Sequence, residues 1–178
     1  MAWIGPGFDS PWVHQDMKKD SNKKNIAVVL HNIRSAHNVG SIFRTSDAVG
    51  VEKIYLGGIT PAPIDRFGRE VKEIHKVALG AEKFIPWEVA GDIFKIIQKL
   101  KSQKFEIVAL EKSDKSIRYN QFKSQNKNLA LILGSETEGL SEKFLNLADQ
   151  ILEIPMSGKK ESLNVSVAFG IAIFEIIK

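Results

Sequence analysis

From Asn25 onward, short continuous apolar runs alternate with stripes at helical spacing, the pattern of strands alternating with helices. Residues 26–30 form an apolar strand, and over 36–50 Val39, Ile42, Phe43, Ser46 and Val49 share one helical stripe. Residues 53–56 make a second strand that Gly57 and Gly58 halt, and 59–70 read as a surface loop because Pro61, Pro63 and Gly68 break any regular element. The pattern then predicts a helix over about 70–79, a strand at 84–85 and a helix over 91–102. That helix turns Ile93, Phe94, Ile96, Ile97 and Leu100 inward and Lys95, Lys99 and Lys101 outward. Residues 105–110 and 129–133 are near-continuous apolar runs, as in parallel strands covered on both faces, and 151–154 closes the series before Pro155.

The last segment reads two ways. Leu163, Val165, Val167, Phe169, Ile171 and Ile173 alternate with other residues at the period of a strand, yet a strand of that length is unusual. Ser162, Ser166 and Gly170 recur every fourth residue, which in a helix makes a small-side-chain seam for close packing. The whole predicts an α/β fold with a mostly parallel sheet and flanking helices over 25–178. Residues 1–24, with Gly5, Pro6, Gly7 and Pro11 among Trp3, Phe8 and Trp12 and then a lysine-rich stretch, read as an N-terminal arm and polar linker.

Composition narrows the function. A 178-residue chain with 43% hydrophobic and 26% charged residues is ordinary for one globular domain. Its net charge of +4 favours a polyanionic partner without requiring one. With no cysteine, disulfides, thiolate nucleophiles and cysteine-ligated zinc are excluded, which suits a reducing cytoplasm. The first twenty residues lack the basic start and apolar core of a signal peptide, and no stretch reaches the roughly 20 apolar residues that span a bilayer, so a soluble, cytoplasmic protein is expected. Histidine spacing gives no metal site.

Three blocks carry candidate chemistry, each following or opening an apolar segment, so that they could meet at one end of the sheet. In the first, Arg44 shares a helix face with Ser41 and His37, and Asn38 lies near the helix start. This is either a solvated face, with Arg44 paired to Asp47, or a phosphate or oxyanion site at a helix N-terminus. In the second, Gly134 to Gly139 imitates a phosphate-binding loop, but Leu140 stands where such a loop has lysine, and Glu136 and Glu138 would repel phosphate. An ordinary strand-to-helix turn, or a loop for a neutral or cationic ligand such as a sulfonium-bearing adenosine, remains. In the third, Asn164 and Ser166 interrupt an apolar segment and serve either structural hydrogen bonds or a ligand. A dinucleotide enzyme is disfavoured, since no G-x-G-x-x-G follows the first strand.

Together the blocks HNIRSAHNVGSIFRTSDAVGV, LILGSETEGL and IPMSGKKESLNVSVAFGIAIFE resemble, in order and spacing, the three signature motifs of the SpoU/TrmH class of SPOUT RNA 2'-O-ribose methyltransferases; KVALGAEKFIPWE is also typical of that group. The resemblance implies an α/β sheet with a C-terminal deep trefoil knot, an exception to the rule against knots. It implies a homodimer, no metal and S-adenosyl-L-methionine as methyl donor, leaving S-adenosylhomocysteine, with tRNA or rRNA as substrate. By resemblance the cofactor contacts are Leu110, Gly134, Ser135, Glu136, Gly139, Leu140, Ile154, Met156, Ser162, Leu163 and Asn164. The catalytic set is Arg44, Asn38, Glu136, Ser162 and Asn164, with Arg44 approaching the partner's cofactor. A free guanidinium is a poor base, so Arg44 is expected to bind the neighbouring phosphate and ease alkoxide formation. RNA docking is expected from Arg44, the loop with Arg66 and Arg69, the arm, and Lys159 with Lys160. Residues 165–177 are expected to face both core and dimer, with Val167 buried. The competing function is a catalytically inactive RNA-binding module of the same fold.

Overall fold

The alternation resolves, in a computed structural model that describes residues 24–178, into seven strands of one sheet. In chain order the elements are β1 (Asn25–His31), α1 (Ala36–Val49), β2 (Lys53–Gly57), α2 (Lys72–Ala78), α3 (Ala81–Phe84), β3 (Trp87–Ala90), α4 (Ile93–Ser102) and β4 (Glu106–Leu110). There follow β5 (Ile117–Arg118), β6 (Asn128–Leu133), α5 (Glu142–Leu145), β7 (Gln150–Glu153) and α6 (Val165–Ile176). The strand order is β3-β2-β1-β6-β4-β7-β5, and every pairing is parallel. Residues 1–23 of the predicted arm lie outside the described residues.

The two-sided burial of the central strands explains their continuous apolar runs. Successive side chains leave opposite faces, so Ile26, Val28 and Leu30 of β1 join Leu129, Leu131 and Leu133 of β6 in one core. Ala27 and Val29 join Ala130 and Ile132 in the other. Helices α1, α2, α3 and α6 cover the first face, while α4 and α5 cover the second. Helix α1 starts at Ser35, whose Oγ accepts from the Asn38 N–H, and ends at Gly50 in the left-handed region.

Residues 84–85 correct the sequence reading. Phe84 closes the short helix α3 and is largely exposed, Ile85 is buried as the helix cap, and the strand begins only at Trp87. Two apolar residues in succession matched a buried strand, but they point to opposite environments across a helix end.

The ambiguous tail is a helix. Its period-two pattern, laid on 3.6 residues per turn, spreads apolar side chains all round the axis. One side, Phe169, Ala172, Ile173 and Ile176, is buried in the core. Phe169, Ile173 and Ile176 each contribute on the order of 2 kcal/mol by burial, which outweighs the β-preference of so many branched residues. The other side carries Val167, Ile171 and Phe174, which stay at least a third exposed, so Val167 does not lie in this chain's core. Among the described residues nothing packs closely on Gly170 of the small-residue seam: a Cβ there would meet nothing within 4 Å.

Candidate active site

A cleft of about 570 Å³ opens at the carboxyl ends of β4, β6 and β7, where parallel sheets place ligands. Its size suits a nucleoside-sized molecule. The strand ends contribute Leu110, Leu133 and Leu152; the segment between β7 and α6 contributes Ile154, Met156, Ser162 and Leu163. The turn at 134–139 forms the remaining wall. Five acidic residues line the cleft, Glu111, Glu136, Glu138, Glu153 and Glu161, against one basic residue, Lys112. That balance repels phosphate and favours a ligand carrying positive charge.

The turn is built by close backbone approach. The Gly139 N–H donates to the Ser135 carbonyl at 2.9 Å, and the Ser135 Oγ accepts from the N–H groups of Thr137 and Glu138. A Cβ at Gly134 would collide with the Gly139 backbone, and Gly139 sits at φ +63° with the Glu111 carboxylate where its own Cβ would be. Glu111 was not singled out by the motif pattern. Its Oε2 accepts from the Leu140 N–H at 2.9 Å and its Oε1 from the Lys112 N–H at 3.0 Å, so it clamps the end of β4 to the turn. Only its place directly after an apolar strand hinted at this role.

Asn38 joins the three blocks. Its Nδ2 donates to Glu136 Oε1 at 2.9 Å, and its Oδ1 accepts from Asn164 Nδ2 at 3.0 Å. The Oδ1 of Asn164 accepts from the N–H of Ser166 at 2.9 Å and from its Oγ at 2.7 Å, capping α6. Glu136 Oε2 in turn accepts from the Arg34 N–H at 3.3 Å, and the Arg34 guanidinium reaches Glu138 at 3.9 Å. Burial alone would raise the Glu136 carboxyl. The hydrogen bonds from Asn38 and from the backbone N–H groups of Glu136, Arg34 and Ser35 outweigh that and hold it below its ordinary value.

Most of the expected cofactor residues therefore share one cleft, but two do not line it. Leu140 is buried against the second core, and only its N–H serves the turn. Asn164 works as a bridge and helix cap at the cleft's edge. Asn38 and Ser162, expected with Arg44 in the catalytic set, make no hydrogen bond to it. Arg44 is exposed on α1, outside its own chain's cleft, and has no hydrogen-bond or ion-pair partner among the described residues, Asp47 included. Arg66, Arg69, Lys159 and Lys160 are exposed on the 59–70 loop and on the segment after β7. Among the described residues no cluster of histidine and carboxylate side chains could hold a metal ion, and no helix is long and apolar enough to cross a membrane.

Comparison with known proteins agrees with this architecture. The SpoU rRNA Methylase family model matches residues 25–174, and the chain belongs to that family. It is 31% identical over 156 residues to a tRNA (guanosine(18)-2'-O)-methyltransferase of Aquifex aeolicus, covering 88% of this chain and 70% of that protein. It is 29% identical to the 23S rRNA (guanosine-2'-O-)-methyltransferase RlmB of Pasteurella multocida, covering 100% of this chain and 70% of that protein. The AdoMet-bound rRNA methyltransferase structure from Sinorhizobium meliloti superposes with a TM-score of 0.74 at 29% identity, over 86% of this chain and 56% of that one. The chain thus spans only a little over half of that solved relative.

Proposed function

We propose that this protein transfers the methyl group of S-adenosylmethionine to a ribose 2'-hydroxyl of tRNA or rRNA. The observation that carries the reading is the Glu136–Asn38–Asn164 bridge, which brings the three blocks together beside an acidic cleft of nucleoside size. The turn's backbone groups would hold the cofactor's adenosine, and the surrounding carboxylates would favour the sulfonium over the neutral product. The sulfonium is an activated methyl donor when bound, so what the chain must supply is orientation of the ribose and stabilisation of its developing alkoxide.

Arg44 is our choice for that second task. It stands outside its own cleft, and the apolar outer face of α6, with Val167, Ile171 and Phe174, is free to pack against a second copy. A homodimer built on that face would set the Arg44 of one protomer towards the cleft of the other, its guanidinium on the phosphate next to the reacting ribose. Folding of 25–178 as one methyltransferase domain with a knotted C-terminal part, and a cytoplasmic place of action, belong to the same proposal. The test is calorimetry with S-adenosylmethionine together with methyl transfer to RNA. Arg44→Ala should bind cofactor within a few fold of wild type and transfer almost nothing. Full turnover by the variant would remove Arg44 from the mechanism.

A further inference from the structure

The loop between β2 and α2 presents an aromatic ring that the cleft does not use. Phe67 is 66% exposed, and single exposed apolar side chains are common. This one is mounted on a built turn. Asp65 Oδ1 accepts from the N–H groups of Phe67 at 2.8 Å and Arg69 at 3.0 Å, and Asp65 Oδ2 accepts from Arg69 Nε at 2.9 Å. The Asp65 N–H donates to the Arg69 carbonyl, the Gly68 N–H donates to the Asp65 carbonyl, and Ile64 pairs with Glu70 in an antiparallel bridge. The root of the loop is equally fixed. The Ile59 N–H donates to Asn32 Oδ1 and the Ile33 N–H to Thr60 Oγ1, both at 3.1 Å. Asn32 and Ile33 belong to the β1 to α1 connection that also carries Arg34 to Glu136.

Two guanidiniums flank the ring: Arg66 lies 4.8 Å and Arg69 5.0 Å from its centroid. Arg69 is held there by Asp65, and Glu70 is paired with Lys83 at 3.4 Å. Arg66 has no hydrogen-bond or ion-pair partner among the described residues, so the turn keeps one uncompensated positive charge beside an exposed aromatic face. Single-stranded nucleic acid takes this combination, because a base stacks on the ring while cations meet the flanking phosphates. A duplex offers no free base face.

We infer that Phe67, between Arg66 and Arg69, is a stacking platform for one unstacked nucleotide of the RNA, whose base displaces Arg66 from the ring onto a neighbouring phosphate. The inference rests on the methyltransferase reading and adds to it a preference for single-stranded or loop RNA near the target.

The test uses the full chain and fluorescence anisotropy with two probes, an unstructured oligouridylate and a blunt RNA duplex of the same length. Phe67→Ala should weaken single-strand binding by on the order of tenfold, the scale of one lost base–aromatic stack, with an unchanged salt slope. Phe67→Trp should restore it. Duplex binding, cofactor affinity and melting temperature should not move, because the ring packs little against the fold. Arg66→Ala should instead lower the single-strand salt slope by about 0.7, the loss of one phosphate contact. Equal affinity of Phe67→Ala and wild type for the single strand overturns the platform, as does an equal loss on both probes or a tryptophan variant as weak as alanine. A change of oligomeric state on Phe67→Ala also overturns it, since the ring would then serve a protein contact. If wild type methylates RNA while Phe67→Ala binds normally, the platform alone falls; a wild type that binds neither RNA nor S-adenosylmethionine takes the methyltransferase reading with it.

Discussion

Asn38 and Asn164 lie 126 positions apart in sequence and 3.0 Å apart in space, and through Asn38 the amide of Asn164 is linked to the carboxylate of Glu136. Asn38 is buried, and Ala at this position would leave Asn164 and Glu136 without their shared partner. Asn38→Ala should cost about 1–3 kcal/mol of unfolding free energy in urea titrations and lower methyl transfer more than cofactor affinity. Asn38→Asp should be worse at neutral pH, since it sets a second carboxylate against Glu136.

Glu136 also gives the acid limb of stability a sign. Its carboxyl lies below its ordinary value of 4.5 in the folded protein, so the unfolded chain takes up the proton first as pH falls. The stability it contributes is complete above 4.5 and is lost as pH drops through the lower folded value. Glu136→Gln should therefore flatten that part of the urea midpoint against pH curve, and an unchanged acid limb would show that the bridge is not held by the charged form.

Glu111 tests whether the turn is positioned by the end of β4. Glu111→Ala removes the acceptor for the Leu140 N–H and should weaken S-adenosylmethionine and S-adenosylhomocysteine by a similar factor, roughly tenfold. Glu111→Gln keeps an acceptor oxygen and should recover most of the affinity. Selective loss of the cationic ligand in the glutamine variant would mean that charge, not position, is what Glu111 supplies.

His31 ends β1 with its ring 4.4 Å from that of Phe144 and its Nδ1 buried without a hydrogen-bond partner among the described residues. Burial lowers its pKa below 6.5, because the folded surroundings disfavour the charged ring. The sign follows from proton uptake: between the folded value and 6.5 the unfolded chain binds the proton and the folded chain does not, so stability is full above 6.5 and falls as pH drops below it. His31→Phe should abolish that decline in thermal melts across this window, and a parallel decline in the variant would assign it to another group.

The exposed side of α6 is the proposed dimer face. Val167→Glu should leave the fold intact, because Val167 is 51% exposed, while light scattering at micromolar concentration shifts from dimer to monomer. A monomeric wild type would refute the shared site.

Much of this was legible because apolar periodicity reports burial directly: the continuous runs of β1, β4 and β6 are strands between two covered faces, and Val39, Ile42 and Phe43 mark the buried side of α1. Where burial had two causes the pattern misled. In α6 the inward side and the outward side are both apolar, so no single stripe survives, and periodicity alone does not separate outward Val167 from inward Phe169. The two-residue strand β5 at the sheet edge is too short to have a period. Among site residues, the glycines of the turn and Asn38 could be found by motif, whereas Glu111 could not, because its task depends on β4 and β6 being neighbours in the sheet, which only the fold reveals.

Transfer to a ribose 2'-oxygen is decided by the position of the transferred methyl group. The full chain would be incubated with methyl-labelled S-adenosylmethionine and, separately, unmodified tRNA and rRNA, and the RNA then hydrolysed in alkali. A methylated 2'-oxygen cannot attack the neighbouring phosphodiester, so wild type should leave label in alkali-resistant dinucleotides and Arg44→Ala almost none. Label recovered in single nucleotides, carried on a base, or no label in either RNA despite cofactor binding, would contradict transfer to that oxygen.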